Sequence, residues 1–353
     1  MNVWKKIIVM GLVGTLVIVG MTACGKGGDT KVVFTTGFGK DEVFRVGDEI
    51  CTEAELMVYL TTTQNQYENV YGPEIWNTEL NGVTLEENVK ETVLAKIAQI
   101  KTMYLLALEK GVVLEDAEEL QIKQAAGEYF DSLSETEIKR MEVSYELVED
   151  LYREYLLAEK VYRQIIEDVN PEISDDEARI ITVQHVLIKT LRTDNSGKSV
   201  PYTEEEKKAA YERICEIREL AMTEAQDFAE LASEYSEDSV ITYSFGKGEM
   251  DAAFETASFD LGTDEISGIV ESEVGYHIIK CINTFNREET DANKLEIVEQ
   301  RRKEVFGQEY DAFVAGLARK MNQKLWEKIA LIHDENVDTA DFFDVYEKYF
   351  PKE

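Results

Sequence analysis

The chain has 353 residues, of which 44% are hydrophobic and 31% are charged, so it contains enough apolar material for one or two folded cores. Asp and Glu total 71 against 37 Lys and Arg, which gives a formal net charge of −34 at pH 7. Because so acidic a chain is repelled by phosphate, the composition argues against nucleic acid and anionic lipid headgroups as partners held by charge.

The first 24 residues have the pattern of an export signal. Lys5 and Lys6 precede an apolar run from Ile7 to Met21, and MTAC (21–24) ends the run at Cys24. Residues 1–23 are therefore predicted to be a signal peptide. The end of the run looks like a bacterial lipobox, which implies that Cys24 is the lipidated first residue of the mature protein. An uncleaved membrane helix is the alternative, but the run is shorter than the roughly 20 residues that a spanning helix needs.

A tether and a helical region follow the signal. Residues 24–42 begin with a glycine-rich polar stretch, which predicts a flexible tether. VFRVGDEI (43–50) places a Gly-Asp turn between apolar pieces and predicts a hairpin. Thr52-x-x-Glu55, Thr84-x-x-Glu87 and Ser134-x-x-Glu137 are capping boxes that predict helix starts, and Gly111 is expected to end the second of these helices. With Asn170-Pro171 breaking the pattern, residues 43–177 are predicted to form an N-terminal helical lobe.

The next region changes from helical to mixed character. Residues 180–188 and 275–282 are predicted to be strands, and capping boxes at Thr203 and Asp227 predict two helices between them. A single amphipathic helix is then expected over 292–331, with one apolar stripe formed by Phe306, Tyr310, Phe313, Leu317, Met321 and Leu325.

Such a stripe must pack on another element, so residues 287–340 are expected to return to the helical lobe. The aromatic and acidic tail, 341–353, is given no function, and its aromatic residues are expected to pack on the same lobe. The predicted fold is α+β. A small antiparallel sheet with flanking helices, residues 178–286, is inserted in a discontinuous, mostly α-helical domain.

The remaining cysteines give no sign of a disulfide framework or a metal site. Cys51, Cys215 and Cys281 are an odd number spread over separate elements, and no Cys-x-x-Cys spacing occurs. They are predicted to be free and mostly buried thiols. Neither a metal nor a cofactor is expected.

Two of the three histidines lie in strand-like segments, VQHVLIK (183–189) and VGYHIIK (274–280), with GEMDAAFETASF (248–259) between them. This arrangement resembles the core of a parvulin-type peptidyl-prolyl isomerase. The order of hairpin, helices, inserted module and returning helix resembles the extracytoplasmic foldases of the PrsA and SurA type. This order of elements covers nearly all of the mature chain, whereas the parvulin motifs lie within about residues 180–285.

The resemblance implies a set of catalytic residues. His185 and His277 match the paired histidines of the family, Ser272 matches a nearby hydroxyl, and Asp238 matches a position that is acidic or cysteine. The histidines are expected to hold the floor of the site, and Asp238 to act electrostatically on the amide. The alternatives are an ordinary pair of core histidines and a solvated loop aspartate.

The same resemblance implies a pocket for the proline ring. Met250 and Phe254 match the residues that form it, and Phe245 matches a supporting aromatic. An i, i+4 pair of Met and Phe is also what an ordinary helix core contains. The chain departs from the family in SVITYSFGKGEM (239–250), which lacks several residues of one rim and has Thr242 where an apolar residue is common. Lys189, Arg192 and Lys198 are dispersed, so selectivity for phosphorylated substrates is not expected.

These features together predict a peptidyl-prolyl isomerase and foldase that acts outside the cytoplasmic membrane. An Xaa-Pro bond rotates over a barrier of roughly 18–20 kcal/mol, so its isomerisation can limit folding. The expected partners are unfolded secreted proteins with Xaa-Pro bonds and, through the lipid, the membrane, while the oligomeric state, a homodimer included, is left open. The alternatives are a holding chaperone with a degenerate parvulin-like domain and a solute-binding lipoprotein, which would need two α/β lobes.

Overall fold

The computed structural model describes residues 37–80, 82–194, 197–223 and 227–351. The predicted signal peptide, Cys24 and most of the predicted tether lie outside these residues. Within the described ranges, no helix combines the length and apolar character that crossing a membrane requires. The chain divides into two compact units, a helical unit made of residues up to 168 and from 303, and a sheet unit made of residues 169–302.

The helical unit begins with the predicted hairpin. Strands β1 (Glu42–Val46) and β2 (Glu49–Thr52) pair antiparallel across a turn in which Gly47 has a φ of +59°. Helix α1 (Glu53–Tyr71) follows without a break, and the predicted capping box between Thr52 and Glu55 is present in full. The backbone N–H groups of the first turn are therefore satisfied by side chains that the local sequence supplies.

Further helices of this unit begin at the predicted caps. The capping boxes at Thr84 and Ser134 are both formed, and the second helix ends just before Gly111. The elements are a two-stranded ribbon of β3 (Glu79–Leu80) and β4 (Val83–Thr84), followed by helices α2 (Leu85–Glu109), α3 (Asp116–Ser132), α4 (Glu135–Met141) and α5 (Tyr145–Ile166).

An ion cluster is buried among these helices. Lys101 of α2 has a side chain that is 2% exposed, and its Nζ lies 3.2 Å from Glu55 Oε1 and 2.8 Å from Glu154 Oε1. Burial raises the pKa of Glu154 to about 7, against the opposing effect of the Lys101 ammonium. Two carboxylates thus share one buried cation.

The single helix expected over 292–331 is wrong in its second half. Helix α9 is Arg287–Ala315, and its residues belong to the sheet unit up to 302 and to the helical unit from 303. The chain then forms strand β11 (Arg319–Met321), which pairs antiparallel with β1 so that Met321 lies opposite Phe44. The apolar stripe predicted the packing of Phe306 and Tyr310 on the helical core correctly. The chain leaves the helix at Gly316, and residues 319–321 then pair with the free edge of the hairpin.

The C-terminal segment is part of the helical core. A short helix α10 (Gln323–Trp326) precedes an extended stretch and helix α11 (Phe342–Tyr349). Phe342, Phe343 and Tyr346 are each less than 5% exposed, and the Phe342 ring stacks on Tyr152 at a centroid distance of 4.6 Å. The aromatic residues of the predicted tail therefore pack on the helical unit, as expected.

The sheet unit is built on a four-stranded antiparallel sheet. Its strand order is β8 (Thr242–Phe245), β5 (Ile181–Lys189), β10 (Gly275–Asn283) and β9 (Val270–Glu271). The remaining elements are the ribbon of β6 (Leu191–Thr193) and β7 (Ser199–Pro201), and helices α6 (Glu204–Met222), α7 (Phe228–Tyr235) and α8 (Ala252–Asp260). This unit and the helical one give the predicted α+β fold.

Alternation along the two central strands separates two apolar clusters. Val186 and Ile278 belong to the cluster that contains residues of α6 and α7. Val183 and Ile279 belong to the other, with Phe254 of α8. Because side chains two apart share a face, His185 and His277 lie on the α8 side of the sheet. At Gly275 a Cβ atom would stand 2.2 Å from the carbonyl oxygen of Ile188, so only glycine fits where β10 begins.

Candidate active site

The two histidines lie side by side on the central strands. His185 of β5 is 2% exposed and His277 of β10 is 5% exposed. Their Nδ1 atoms are 3.2 Å apart, and their rings stack with an interplanar angle of 20°. The prediction that these residues meet is confirmed, and each contacts the other through a ring nitrogen.

The outer hydrogen bonds assign the protons on both rings. His185 Nε2 lies 3.0 Å from the carbonyl oxygen of Val240, which can only accept, so this nitrogen must donate. Neutral His185 then accepts at Nδ1, and His277 donates from its own Nδ1. His277 Nε2 is left as an acceptor for the hydroxyl of Ser272, 2.7 Å away. One directed chain of hydrogen bonds therefore runs from the Ser272 hydroxyl through both histidines to the carbonyl oxygen of Val240.

Burial keeps the histidine pair neutral. Desolvation, with a smaller effect from His185, lowers the pKa of His277 to about 4. Desolvation also lowers the pKa of His185, against opposing effects from the Val240 carbonyl and Asp238. Two neutral rings are what this chain of hydrogen bonds requires. A second proton on His185 would lie on Nδ1 and face the Nδ1–H of His277 across the 3.2 Å contact, and a second proton on His277 would occupy Nε2, the acceptor of the Ser272 hydroxyl.

Asp238 lies at the solvent-exposed end of this chain of hydrogen bonds. Its Oδ2 is 3.4 Å from His185 Nε2, and its side chain is 26% exposed. Partial burial alone would raise the pKa of Asp238, but hydrogen bonds from the Val240 N–H and the Tyr243 hydroxyl hold it below its usual range. The carboxylate is thus ionised at neutral pH, beside the histidines and in contact with solvent.

The aromatic residues predicted for the pocket lie against the histidines. The Phe254 ring is 5.4 Å from the His185 ring and 5.1 Å from the His277 ring, in edge-to-face geometry with both. Phe245 is 1% exposed and lies 5.9 Å from Phe254. Met250 is half-buried and packs on the same cluster. An apolar surface with an accessible methionine and a polar floor therefore exists at one place.

The structure adds one side chain that the sequence argument did not identify. The Tyr243 hydroxyl donates to Asp238 Oδ2 over 3.0 Å, and its ring lies 5.3 Å from the His185 ring. The alternation in TYSF was an available signal, because it places Tyr243 on the same face as Phe245. Thr242, noted as a departure from the family, is exposed on β8.

The cysteines stand apart from this site. Cys51 and Cys281 are buried, Cys215 is partly buried, and all three are free. Across the described ranges, no group of three or more His, Cys, Asp and Glu side chains could hold a metal ion. The groups that the structure does bring together are a neutral histidine pair, an ionised carboxylate and an apolar wall.

Residues 185–283 match the model of the rotamase family described as a PPIC-type PPIase domain. The foldase protein PrsA of Caldanaerobacter subterraneus subsp. tengcongensis is 27% identical over 68% of this chain and 72% of its own length. PrsA of Clostridium acetobutylicum is 24% identical over 70% of this chain and 76% of its own.

Among solved structures, PrsA from Bacillus cereus gives a TM-score of 0.34 at 20% identity, over 76% of this chain and 97% of that one. The family match covers both histidines, Asp238, Ser272 and the aromatic pocket. Residues 185–283 are therefore a parvulin-type peptidyl-prolyl cis/trans isomerase domain, and the chain that carries it is similar to foldase proteins PrsA.

Proposed function

We propose that this isomerase acts on secreted proteins at the outer face of the cytoplasmic membrane, where a lipid on Cys24 holds it. The proposal is supported by the charged start, the apolar run and the MTAC sequence at 21–24. Because the chain carries a net charge of −34, attachment would depend on the lipid and not on attraction to anionic headgroups. A protein tethered there would meet clients before they fold.

The observation that supports the catalytic assignment is the ionised carboxylate next to a neutral, hydrogen-bonded histidine pair, with an apolar wall beside it. A prolyl ring would rest against Met250 and Phe254, because both present apolar surface next to the histidines. Asp238 would then act on the twisting amide, whose charge distribution differs from that of the planar form.

The histidines are given a supporting role. Each ring nitrogen of the pair already has a partner within 3.2 Å, so neither ring has a free site for a substrate proton. The chain from Ser272 to Val240 would instead fix the two strands and the loop that carries Asp238. No proton transfer or covalent intermediate is needed, since isomerisation breaks no bond.

Substitutions should distinguish residues that bind the proline ring from the residue that acts only during turnover. Met250→Ala and Phe254→Ala should weaken peptide binding and turnover together, because they remove contacts made before and during the rotation. Asp238→Ala should lower turnover at least about tenfold with little loss of binding, if its contribution appears mainly as the amide twists. Exchange NMR on a proline-containing peptide measures both quantities. Equal losses of binding and turnover in all three variants would contradict the division.

The anchor is tested separately. Cys24→Ala should leave the protein unlipidated and release it from the membrane fraction, because the lipid is the proposed anchor. Fractionation and mass spectrometry of the N-terminus measure the outcome. A variant that stays as firmly membrane-bound as the unsubstituted protein would refute the lipid anchor without bearing on the isomerase activity.

A further inference from the structure

Tyr243 reaches the site by the register of the sheet. β8 pairs with β5 so that Tyr243 lies opposite Val183. His185 is two residues further along β5 and on the same face, so the tyrosine ring lies diagonally beside it, with the ring centroids 5.3 Å apart. From this position the hydroxyl extends to the loop that carries Asp238.

The two oxygens of Asp238 are held from different sides. Oδ1 accepts the backbone N–H of Val240 at 3.2 Å, a contact within its own turn. Oδ2 accepts the Tyr243 hydroxyl at 3.0 Å and lies 3.4 Å from His185 Nε2. Since His185 Nε2 is closer to the Val240 carbonyl, at 3.0 Å, the tyrosine supplies the better hydrogen bond to Oδ2.

We propose that Tyr243 is a positioning residue for the isomerisation, and that its hydroxyl holds the Asp238 carboxylate in one orientation beside His185. The inference rests on the proposed role of Asp238. A carboxylate fixed only by its own turn can rotate, and its field at the substrate amide would then vary with that rotation. Tyr243 removes this freedom at the rim that is shortened relative to the family.

Tyr243→Phe tests the proposal because it keeps the ring against His185 and removes only the hydroxyl. In the full chain we expect kcat/KM for a proline-containing peptide to fall about tenfold, as for loss of one hydrogen bond to a charged group, with peptide affinity unchanged. Tyr276→Phe is the matched control. It lies on β10 next to His277, but its side chain packs with the cluster on the opposite face, so its rate should not change.

The coupling to Asp238 provides a second measurement. Adding Tyr243→Phe to Asp238→Asn should cost nothing further, because the carboxylate to be positioned is already gone. In Tyr243→Phe alone, loss of the hydrogen bond should raise the pKa of Asp238, so the acid limb of the kcat/KM profile should move to higher pH.

Two results would overturn the inference in distinguishable ways. If Asp238→Asn slows exchange but Tyr243→Phe does not, or if the two losses simply multiply in the double variant, Tyr243 has no positioning role and the role of Asp238 stands. If Asp238→Asn leaves the rate unchanged, the proposed role of Asp238 fails and the inference fails with it. Thermal unfolding of each variant identifies any loss due to misfolding.

Discussion

At the scale of single residues, the site depends on which groups are kept from ionising. His277 is neutral because burial lowers its pKa to about 4, whereas Asp238 stays charged because hydrogen bonds stabilise its anion. His185 lies between the two groups and contacts both, His277 through Nδ1 and Asp238 through Nε2. Neutral rings permit the directed chain of hydrogen bonds, and the remaining charge lies at its exposed end.

The lowered pKa of His277 predicts how stability depends on pH. In the unfolded chain this histidine takes up a proton near pH 6.5, whereas in the folded chain it does so only near pH 4. As pH falls through this window the unfolded state gains protons first, so the sheet unit should lose about 3 kcal/mol of unfolding free energy from this group. Urea unfolding at pH 7.5, 5.5 and 4.5 measures the loss.

The comparison of variants isolates His277 from the many carboxylates of the chain. His277→Gln should flatten the acid dependence, even if its stability at pH 7.5 is lower. His333→Gln, a change at an exposed histidine of the helical unit, should leave the dependence as it is. An identical acid slope in His277→Gln and the unsubstituted chain would show that another group is responsible.

At the scale of elements, the hairpin and helices α1, α2 and α5 are joined by polar contacts inside the core. Lys101 of α2 contacts Glu55 of α1 and Glu154 of α5, and Cys51 and Glu49 of the hairpin also act electrostatically on these groups. A single cation thus links two helices to α2. Because two carboxylates face it, the cluster is sensitive to any loss of that cation.

Lys101→Met should therefore destabilise the helical unit strongly. The substitution keeps the length of the side chain but leaves two buried carboxylates without a cation, at an expected cost of about 3–5 kcal/mol. Lys110→Met is the matched control, because its ion pair with Glu309 is solvent-exposed and should be worth less than about 1 kcal/mol. Denaturant unfolding followed by helical circular dichroism compares the two.

The pH dependence of this cluster has the opposite sign to that of His277. Glu154 binds a proton up to about pH 7 in the folded chain, and only below about pH 4.5 when unfolded. Its contribution to stability is therefore present below pH 4.5 and is lost as pH rises through 7. Equal costs for Lys101→Met and Lys110→Met at pH 8 would contradict the importance of the buried cluster.

At the scale of the whole molecule, the helical unit is built from two distant parts of the chain. Gln64 of α1 exchanges two hydrogen bonds with the backbone of Ile332, and Asn65 donates to the carbonyl oxygen of Thr339. The Tyr152 hydroxyl donates to the carbonyl oxygen of Phe342. The N-terminal helices thus supply both polar partners and apolar surface to the last segment, which is made after the sheet unit.

Truncation tests this dependence. A chain that ends at Lys328 loses the buried residues Ile329, Leu331, Ile332, Val337, Phe342, Phe343, Val345 and Tyr346. Its helical unit should not unfold cooperatively, because each buried side chain lost costs about 1.5–3 kcal/mol and a domain has only about 5–15 kcal/mol. Calorimetry should still detect the sheet unit, and isomerisation of a short peptide should persist.

A chain that ends at Phe350 is the control and should keep both transitions. If the chain ending at Lys328 retained the full helical transition, the C-terminal segment would be dispensable and the helical unit would be complete without it. Loss of both transitions in that chain would instead show that the sheet unit depends on the helical one.

The sequence by itself determined the features that depend on neighbours along the chain. The capping boxes at Thr52, Thr84, Ser134 and Thr203 were readable because the two partners of each lie three residues apart. Strand alternation and the parvulin motifs likewise indicated which residues of 183–189 and 274–280 would meet. The resemblance to the parvulin family named the residues of the candidate site: His185, His277, Asp238, Ser272, Phe245, Met250 and Phe254.

Only the tertiary structure decided the features that join distant segments. Residues 319–321, which were expected to be helical, instead pair with β1, some 275 positions earlier in the sequence. The contact of Tyr243 with Asp238 depends on the register between β8 and β5, and the proton positions on both histidines depend on the main-chain oxygen of Val240. Backbone atoms carry no residue-specific signal, and the free edge that accepts a strand exists only once the hairpin has folded.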